Sequence, residues 1–160
     1  MRHRSKASLL PLAVVLASCS GPTVSLSIGF PSNEAFLVTT GIDIQIVPMS
    51  DLDQCATLLS AAIQSTDIHP SISSLGVPPC SVRSGTTLPD PGSGAHAYVV
   101  LGRATNGVIL GGCTVGDAYP GAPPIEVDLF PTRTSDYAAA VTAAHLAPGS
   151  TADQRCGSTP

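Results

Sequence analysis

The sequence predicts a mainly β protein, an antiparallel β-sandwich of the Ig-like or transthyretin-like kind with one or two short helices. Three observations support this class. Apolar and polar residues alternate in several short segments. Turn-forming residues are abundant, with 15 glycines and 15 prolines, and one segment has the form of a tight hairpin.

Alternating segments predict the first two strands. Residues 23–30 place apolar side chains at every second position, a period typical of a half-buried strand. "PSNE" then predicts a turn, and residues 35–38 are a candidate short edge strand. In residues 42–46, three isoleucines lie on one side, with Asp43 and Gln45 on the other, which predicts a second strand.

The clearest hairpin signal lies in residues 95–115. Asn106-Gly107 is the favoured sequence for a two-residue type I′ turn. The run Gly111-Gly112-Cys113 predicts a bulge or the close approach of another backbone. Residues 123–131 alternate again and predict one final strand.

Two segments have helical spacing. Apolar residues recur every three or four positions over residues 51–64, which predicts a helix with Cys55 facing the core. An alanine-rich helix is predicted over residues 137–146, with Ser135 or Asp136 as its N-cap. The alternative for the second segment is a frayed tail, because isolated helices of this length are marginally stable.

Residues 65–94 are rich in Pro, Ser and Gly and predict a long connection. A short strand near Val82 or Thr87 is the exception we expect within it. A connection of this length without structure is uncommon in a compact domain.

The N-terminus has the pattern of a secretory signal. Three basic residues precede an apolar run of about 10 residues, which is shorter than the roughly 20 needed to span a bilayer. Leu16-Ala17-Ser18-Cys19 resembles the lipobox of bacterial lipoproteins. An ordinary secretory signal with a chance cysteine and a buried helix of the fold are the alternatives.

The lipobox resemblance implies that the chain is cut before Cys19 and that this residue carries acyl chains. Several acyl chains anchor a protein stably, whereas one holds it weakly. By the enterobacterial sorting rule, Ser20 implies the outer membrane. We therefore expect a signal peptide over residues 1–18, an anchor linker over 19–22, a β-sandwich over 23–132 and a C-terminal helix or tail over 133–160.

Removal of the signal peptide leaves an acidic chain. Arg2, Arg4 and Lys6 are lost, so four arginines remain against eleven acidic residues, a formal charge of −7. Such a surface repels phosphate backbones, which argues against nucleic acid as a partner.

Four cysteines remain besides Cys19, and in an exported chain they predict two disulfides with three possible pairings. They are Cys55, Cys80, Cys113 and Cys156. A zinc site is the competing interpretation, but the sequence contains no C-x-x-C pair and no suitably spaced histidine. We expect no metal and no cofactor.

Three further motifs resemble uncharacterised lipoproteins of myxobacteria. They are "FPS-x-EAF" (30–36), "GCTVGD-x-YPGAPP" (112–124) and "VDLFPT" (127–132), and the likeness covers about residues 20–140. The resemblance implies an envelope location and a β-sandwich, and it implies no activity. It also favours the pairing Cys55–Cys113 with Cys80–Cys156 over the pairing Cys55–Cys80 with Cys113–Cys156.

The chain carries no recognisable catalytic motif: G-x-S-x-G, H-E-x-x-H, the P-loop and G-x-G-x-x-G are all absent. His69, His96 and His145 have no acid or nucleophile beside them in a known motif. Asp51 and Asp53 are the best carboxylate pair, and helix capping is the competing interpretation.

We therefore expect a lipid-anchored envelope protein that acts as a binding or structural module and not as an enzyme. Its partners would be the membrane and an envelope protein. The alternatives are a calcium- or glycan-dependent adhesin and a small envelope enzyme. For glycan binding, Tyr119 is the aromatic residue that we expect to be exposed, with Phe30 and Tyr98 in the core.

Overall fold

The computed structural model of the chain describes residues 22–49, 54–66, 68–119 and 121–157. The predicted lipidation site Cys19, the signal peptide, Asp51 and Asp53 lie outside the described residues. The elements, in chain order, are β1 (Thr23–Gly29), α1 (Asn33–Val38), β2 (Gly41–Pro48), α2 (Cys55–Ile63), β3 (Ile72–Val77), α3 (Pro79–Val82), β4 (Thr86–Pro89), β5 (Ala95–Ala104), β6 (Gly107–Asp117), β7 (Ile125–Asp128), β8 (Phe130–Pro131), α4 (Thr134–Ala144) and α5 (Ala152–Cys156).

The strands form two open sheets. One is a five-stranded antiparallel sheet with the order β3-β2-β5-β6-β8, and the other is a three-stranded sheet with the order β4-β1-β7. Strands β1 and β7 run parallel, so the expected antiparallel arrangement holds for the larger sheet and not for the smaller one. Of the described residues, 40% are in strands and 28% in helices. The class is therefore mixed α/β rather than mainly β, while the Ig-like or transthyretin-like assignment stays a prediction.

The five-stranded sheet separates two cores. On one face, Tyr98 and Val100 of β5 pack with the three-stranded sheet, α1 and α4 in the larger core. On the other face, Val99 and Leu101 pack against α2 in a second, smaller core. Strand β5 is apolar almost throughout because both of its faces are buried.

Residues 33–38 form a helix, so the predicted turn and edge strand in this segment are wrong. Ser32 caps the helix by accepting a hydrogen bond from the Ala35 amide at 3.0 Å. Ala35, Phe36 and Val38 are buried. The helix turns these three side chains towards the core, and the Ser32 cap provides a hydrogen-bond acceptor for an amide of the first turn. The segment is too short for the apolar spacing of a helix to be recognised in the sequence.

Residues 65–94 are more regular than predicted. Strand β3 pairs with β2, and β4 pairs with β1. Thr87 lies in a strand, as expected near this position, but Val82 is buried in α3. Pairing with distant strands orders this segment despite its turn-rich composition, since local propensity is a weak guide to strands.

The hairpin of β5 and β6 is confirmed, but its turn is displaced by one residue. Ala104 pairs with Gly107, so the loop residues are Thr105 and Asn106. A type I′ turn at Asn106-Gly107 would need positive φ at both residues. Gly107 has a positive φ, of 130°, whereas the φ of Asn106 is not positive.

The final predicted strand is split between the two sheets. Strand β7 lies in the smaller sheet and β8 in the larger one. Between them, the Leu129 amide donates to the Gly29 carbonyl at 2.8 Å. The predicted alternation is kept, because Val127 and Leu129 are buried whereas Phe130 is exposed.

The C-terminal segment is a helix packed on the domain, and it is not a frayed tail. Tyr137 and Val141 of α4 pack against the larger core. The N-cap residue is Arg133, without a side-chain cap, so the predicted caps at Ser135 and Asp136 are wrong. A further helix, α5, was not predicted. Its first turn has a capping box formed by Thr151 and Gln154, and this pair fits the S/T-x-x-E/Q pattern that is typical of a helix start.

Candidate functional site at the anchor end

The first described strand begins four positions after Cys19, and it enters one particular end of the domain. Here Thr23 pairs with Pro89, and the Asp90 amide donates to the Pro22 carbonyl at 3.0 Å. The starts of β1 and β5 and the ends of β4 and β6 lie at this end of the domain. We call it the anchor end. The opposite end, which carries the β5–β6 turn at residues 105–106, is the hairpin end.

The two sheets meet at the anchor end around Tyr98. Its ring is fully buried, and its hydroxyl makes no hydrogen bond with any described residue. Burial raises the pKa of Tyr98 above its ordinary value of 10.0, and the charges of Asp90 and Asp117 raise this pKa further. The phenol therefore remains neutral at physiological pH, and it is influenced by two carboxylates, one just after β4 and one at the end of β6.

An aromatic side chain is exposed just beyond this end. Tyr119 follows the last residue of β6 by two positions and keeps 61% of its surface exposed, as the sequence predicted. Its carbonyl accepts from the Ala122 amide at 3.0 Å, which closes the turn towards β7. Phe30, which was expected in the core, follows the far end of β1 and packs, partly buried, against the larger core.

The histidines considered as candidate bases occupy structural positions. His96 is buried, and its Nδ1 lies 2.8 Å from the Gly94 carbonyl oxygen. His145 ends α4 in the left-handed conformation, with φ of 46°. His69 also has positive φ, at 49°. The structure thus places the three imidazoles in three separate parts of the chain.

Both disulfides of the favoured pairing are present. Cys55 is bonded to Cys113, which joins α2 to the five-stranded sheet. Cys80 is bonded to Cys156, which joins α3 to α5. Disulfides form and persist in oxidising compartments, so the pairing indicates an extracytoplasmic protein.

Gly111 and Gly112 provide the close approach that the sequence predicted beside Cys113. A side chain at Gly112 would collide with the Asp128 backbone. A side chain at Gly111 would press on Leu59 of α2 and on Thr132. The two glycines therefore let α2 and the β7–β8 connection sit directly on β6.

One ion pair, between a buried carboxylate and a partly exposed arginine, was not predicted. Asp43, expected on the polar face of β2, is buried, pairs with Nε of Arg103 and accepts from the Gly76 amide at 2.8 Å. The register of the β2–β3 pair shifts between Ile42 and Ile44, next to this carboxylate. The pair fixes an irregular sheet edge, and no local sequence motif identifies it.

Two grooves of about 520 Å³ each lie on the surface. Six of the nine residues that line the first groove carry hydroxyl groups: Ser25, Ser27, Ser81, Ser84, Thr86 and Thr87. It offers hydrogen bonds to a neutral polar ligand. The second runs beside the Cys55–Cys113 disulfide and is more apolar, with Leu59, Ile63 and Phe130 in its wall.

Within the described residues, no three His, Cys, Asp or Glu side chains are grouped so that they could hold a metal ion. Over those same ranges, none of the helices has the length and apolar character needed to cross a membrane. Comparison of the chain with protein-family models, curated proteins and solved structures finds no match.

Proposed function

We propose that the chain is a bacterial lipoprotein whose mature form begins at Cys19 and is held at the cell envelope by acyl chains on that residue. The observation that carries the proposal is the use of the cysteines. The four in the folded domain are consumed by two disulfides, so the odd fifth cysteine is the one in the lipobox-like sequence. The disulfides and the proposed export signal require the same compartment.

The domain then acts as a binding or structural module without catalytic activity, in the manner of the envelope lipoproteins of myxobacteria that the sequence resembles. The positions of the three histidines support this, because His96 lies in β5, His69 in the connection between α2 and β3, and His145 at the C-cap of α4. Membrane attachment and an envelope protein partner follow from the proposal, whereas the acidic surface disfavours nucleic acid.

The experiment that tests the proposal is expression of the full chain in a bacterium with fractionation of the membranes. We expect the protein in the membrane fraction, with an N-terminal peptide whose mass corresponds to acylated Cys19. The Cys19→Ala variant should move to the soluble fraction, while the neighbouring control Ser18→Ala should stay with the membrane. Equal retention of Cys19→Ala and the wild type contradicts the proposal.

The membrane that receives the protein is tested separately. With Ser20 at the position after the lipidated cysteine, we expect the protein in the outer membrane of an enterobacterial host. The Ser20→Asp variant should shift to the inner membrane. An inner-membrane location for both proteins contradicts the proposed outer-membrane destination but leaves the lipid anchor in place.

A second candidate function, glycan binding, is favoured by the groove lined with hydroxyl groups. We expect neutral oligosaccharides to shift amide resonances of β1 around Ser25 and Ser27 if the groove binds them. The Ser27→Leu variant should abolish those shifts, and the distant exposed substitution Leu75→Ser should not. Shifts scattered over the surface, unaffected by either substitution, argue against this candidate.

A further inference from the structure

The length of the tether between the proposed lipid and the domain restricts how the domain can sit on its membrane. Three residues, 20–22, separate Cys19 from Thr23, the first residue of β1. A chain spans at most about 3.6 Å per residue, so Cys19 and Thr23 are at most about 14 Å apart. Strand β5 has 10 residues, which corresponds to roughly 33 Å. The tether therefore keeps the end of the domain that carries Thr23 close to the lipid headgroups.

Strand pairing identifies which surface this is. At the anchor end, Ala95 pairs with Asp117, and Ile125 packs where a side chain on Gly116 would lie. Strand β1 pairs with β7 from Leu26 to Gly29. Its first residue, Thr23, therefore lies beyond these paired positions, on the side away from the turn at residues 105–106. The hairpin end is consequently the far end of the domain.

The anchor end presents an aromatic side chain suited to a membrane surface. Tyr119 is 61% exposed, and it lies within two residues of the end of β6. A tyrosine has an apolar ring and a polar hydroxyl, and such side chains are enriched at the membrane–water interface. Phe130 is exposed to a similar extent, at 62%, but it lies in β8 and has no polar group on its ring.

The charges of the same end select the kind of lipid. Asp90, whose amide donates to the Pro22 carbonyl, and Asp117, which pairs with Ala95, both lie at this end and make it acidic. Three of the four described arginines contact groups elsewhere: Arg83 pairs with Asp153, Arg103 with Asp43, and Arg155 binds carbonyls of α1. The fourth, Arg133, is the N-cap residue of α4. Anionic headgroups would therefore be repelled, and net-neutral ones would not.

We propose that the anchor end is a membrane-docking surface, on which the Tyr119 ring inserts among net-neutral phospholipid headgroups while the hairpin end projects away. This inference rests on the proposed lipid anchor and adds to it an orientation and a lipid preference. The surface committed to the membrane is then unavailable to protein partners, which must approach the hairpin end or the sides of the sheets.

The absence of tryptophan from the sequence allows a clean test. The lipidated full chain, carrying either Tyr119→Trp or Asn106→Trp, is incorporated into phosphatidylcholine vesicles with brominated acyl chains, which quench nearby indoles. Both positions are exposed, so both variants should fold. We expect the emission of the Tyr119→Trp variant to be blue-shifted and strongly quenched. The emission of the Asn106→Trp variant should not be quenched, so its intensity should be the same in vesicles with and without bromine.

Each outcome has a distinct meaning. Failure of the wild-type protein to float with the vesicles overturns the proposed lipid anchor, and the inference with it. Flotation with equal quenching of the two variants, or with stronger quenching of Asn106→Trp, overturns the inference alone. Partial replacement of phosphatidylcholine by anionic phosphatidylglycerol with the same brominated acyl chains should weaken the quenching of the Tyr119→Trp variant, and adding Asp117→Asn should restore part of it. Stronger quenching on anionic vesicles contradicts the proposed lipid preference.

Discussion

Two regions of the molecule are each attached by one disulfide. One is helix α2 on the five-stranded sheet, and the other is residues 150–157, here called the C-terminal strap. The contacts around the two disulfides differ in kind. Cysteines 58 positions apart are joined in the first case and cysteines 76 positions apart in the second. On the chain-entropy model, loops of these lengths contribute about 4 kcal/mol each. Loop length therefore does not distinguish the two regions.

Apolar burial distinguishes them. Helix α2 covers a second core that includes Val99 and Leu101, and it contributes Ala62 to that core. Each buried methylene group stabilises by about 0.8 kcal/mol. This contribution does not depend on the disulfide, so we infer that α2 stays docked on the sheet when its disulfide is absent.

The strap is held by polar contacts at the surface. Asn33 donates to the Ser150 carbonyl at 2.8 Å and accepts from the Ala152 amide at 2.9 Å. Arg155 donates to the Phe36 and Leu37 carbonyls at 2.7 and 3.0 Å. Such hydrogen bonds contribute only about 0.5–1.5 kcal/mol each, because water competes for both partners. The strap thus depends on its disulfide far more than α2 does.

The largest expected effect comes from removing each disulfide in turn. The double variants Cys55→Ala/Cys113→Ala and Cys80→Ala/Cys156→Ala should both lose up to about 4 kcal/mol of unfolding free energy. Hydrogen exchange should then separate them. Amides of α2 should remain protected in the first variant, whereas those of residues 152–156 should exchange almost freely in the second. Equal loss of protection in the two regions contradicts the comparison.

The next effect tests the second core directly. Leu101 is 2% exposed beneath α2, and Leu101→Ala should lower the free energy of unfolding by about 2–4 kcal/mol. Leu75, which is 67% exposed on β3, provides the matched control, and Leu75→Ala should change it by less than about 0.5 kcal/mol. Denaturant titration of both variants gives the measurement. Similar midpoints for the two variants would show that α2 covers no stabilising core.

The same contrast explains what the sequence could predict. Alternation predicted β1 and β2 correctly, and the hairpin signal in residues 95–115 predicted β5 and β6. Helix α2 was predicted from its spacing, and the close approach at Gly111 and Gly112 from the absence of side chains. These features are recorded locally in the chain.

Features that depend on distant partners were not predicted. The parallel pairing of β1 with β7 joins segments about 100 positions apart, and nothing in either segment specifies direction. The Asp43–Arg103 pair spans 60 positions. Tyr119 was recognised as exposed, but that the end of β6 and the start of β1 lie at the same end of the domain follows only from the strand pairing.

A smaller effect concerns the polar contacts of the strap. Arg155→Gln removes the charged donor to two α1 carbonyls and the contact with the Phe36 ring, 5.4 Å from the guanidinium. We expect a local loss of about 1 kcal/mol, seen as faster hydrogen exchange in α5 with an unchanged midpoint of global unfolding. Arg133→Gln, which alters an exposed residue without a side-chain cap bond, is the control. Exchange that is equally fast in both variants would argue against a specific role for Arg155.

The smallest effect at neutral pH, and the one that tests the anchor end, is Tyr98→Phe. The hydroxyl is buried without a hydrogen-bond partner among the described residues, so its removal should change stability by less than about 1 kcal/mol at pH 7. Because burial, Asp90 and Asp117 raise the pKa of Tyr98 above 10.0, the unfolded chain loses the phenolic proton first as pH rises. Stability should therefore be undiminished below pH 10.0 and fall above it, and Tyr98→Phe should reduce that fall. Thermal unfolding at pH 7 and at alkaline pH measures both quantities, and an identical alkaline loss in the two proteins would show that another group is responsible.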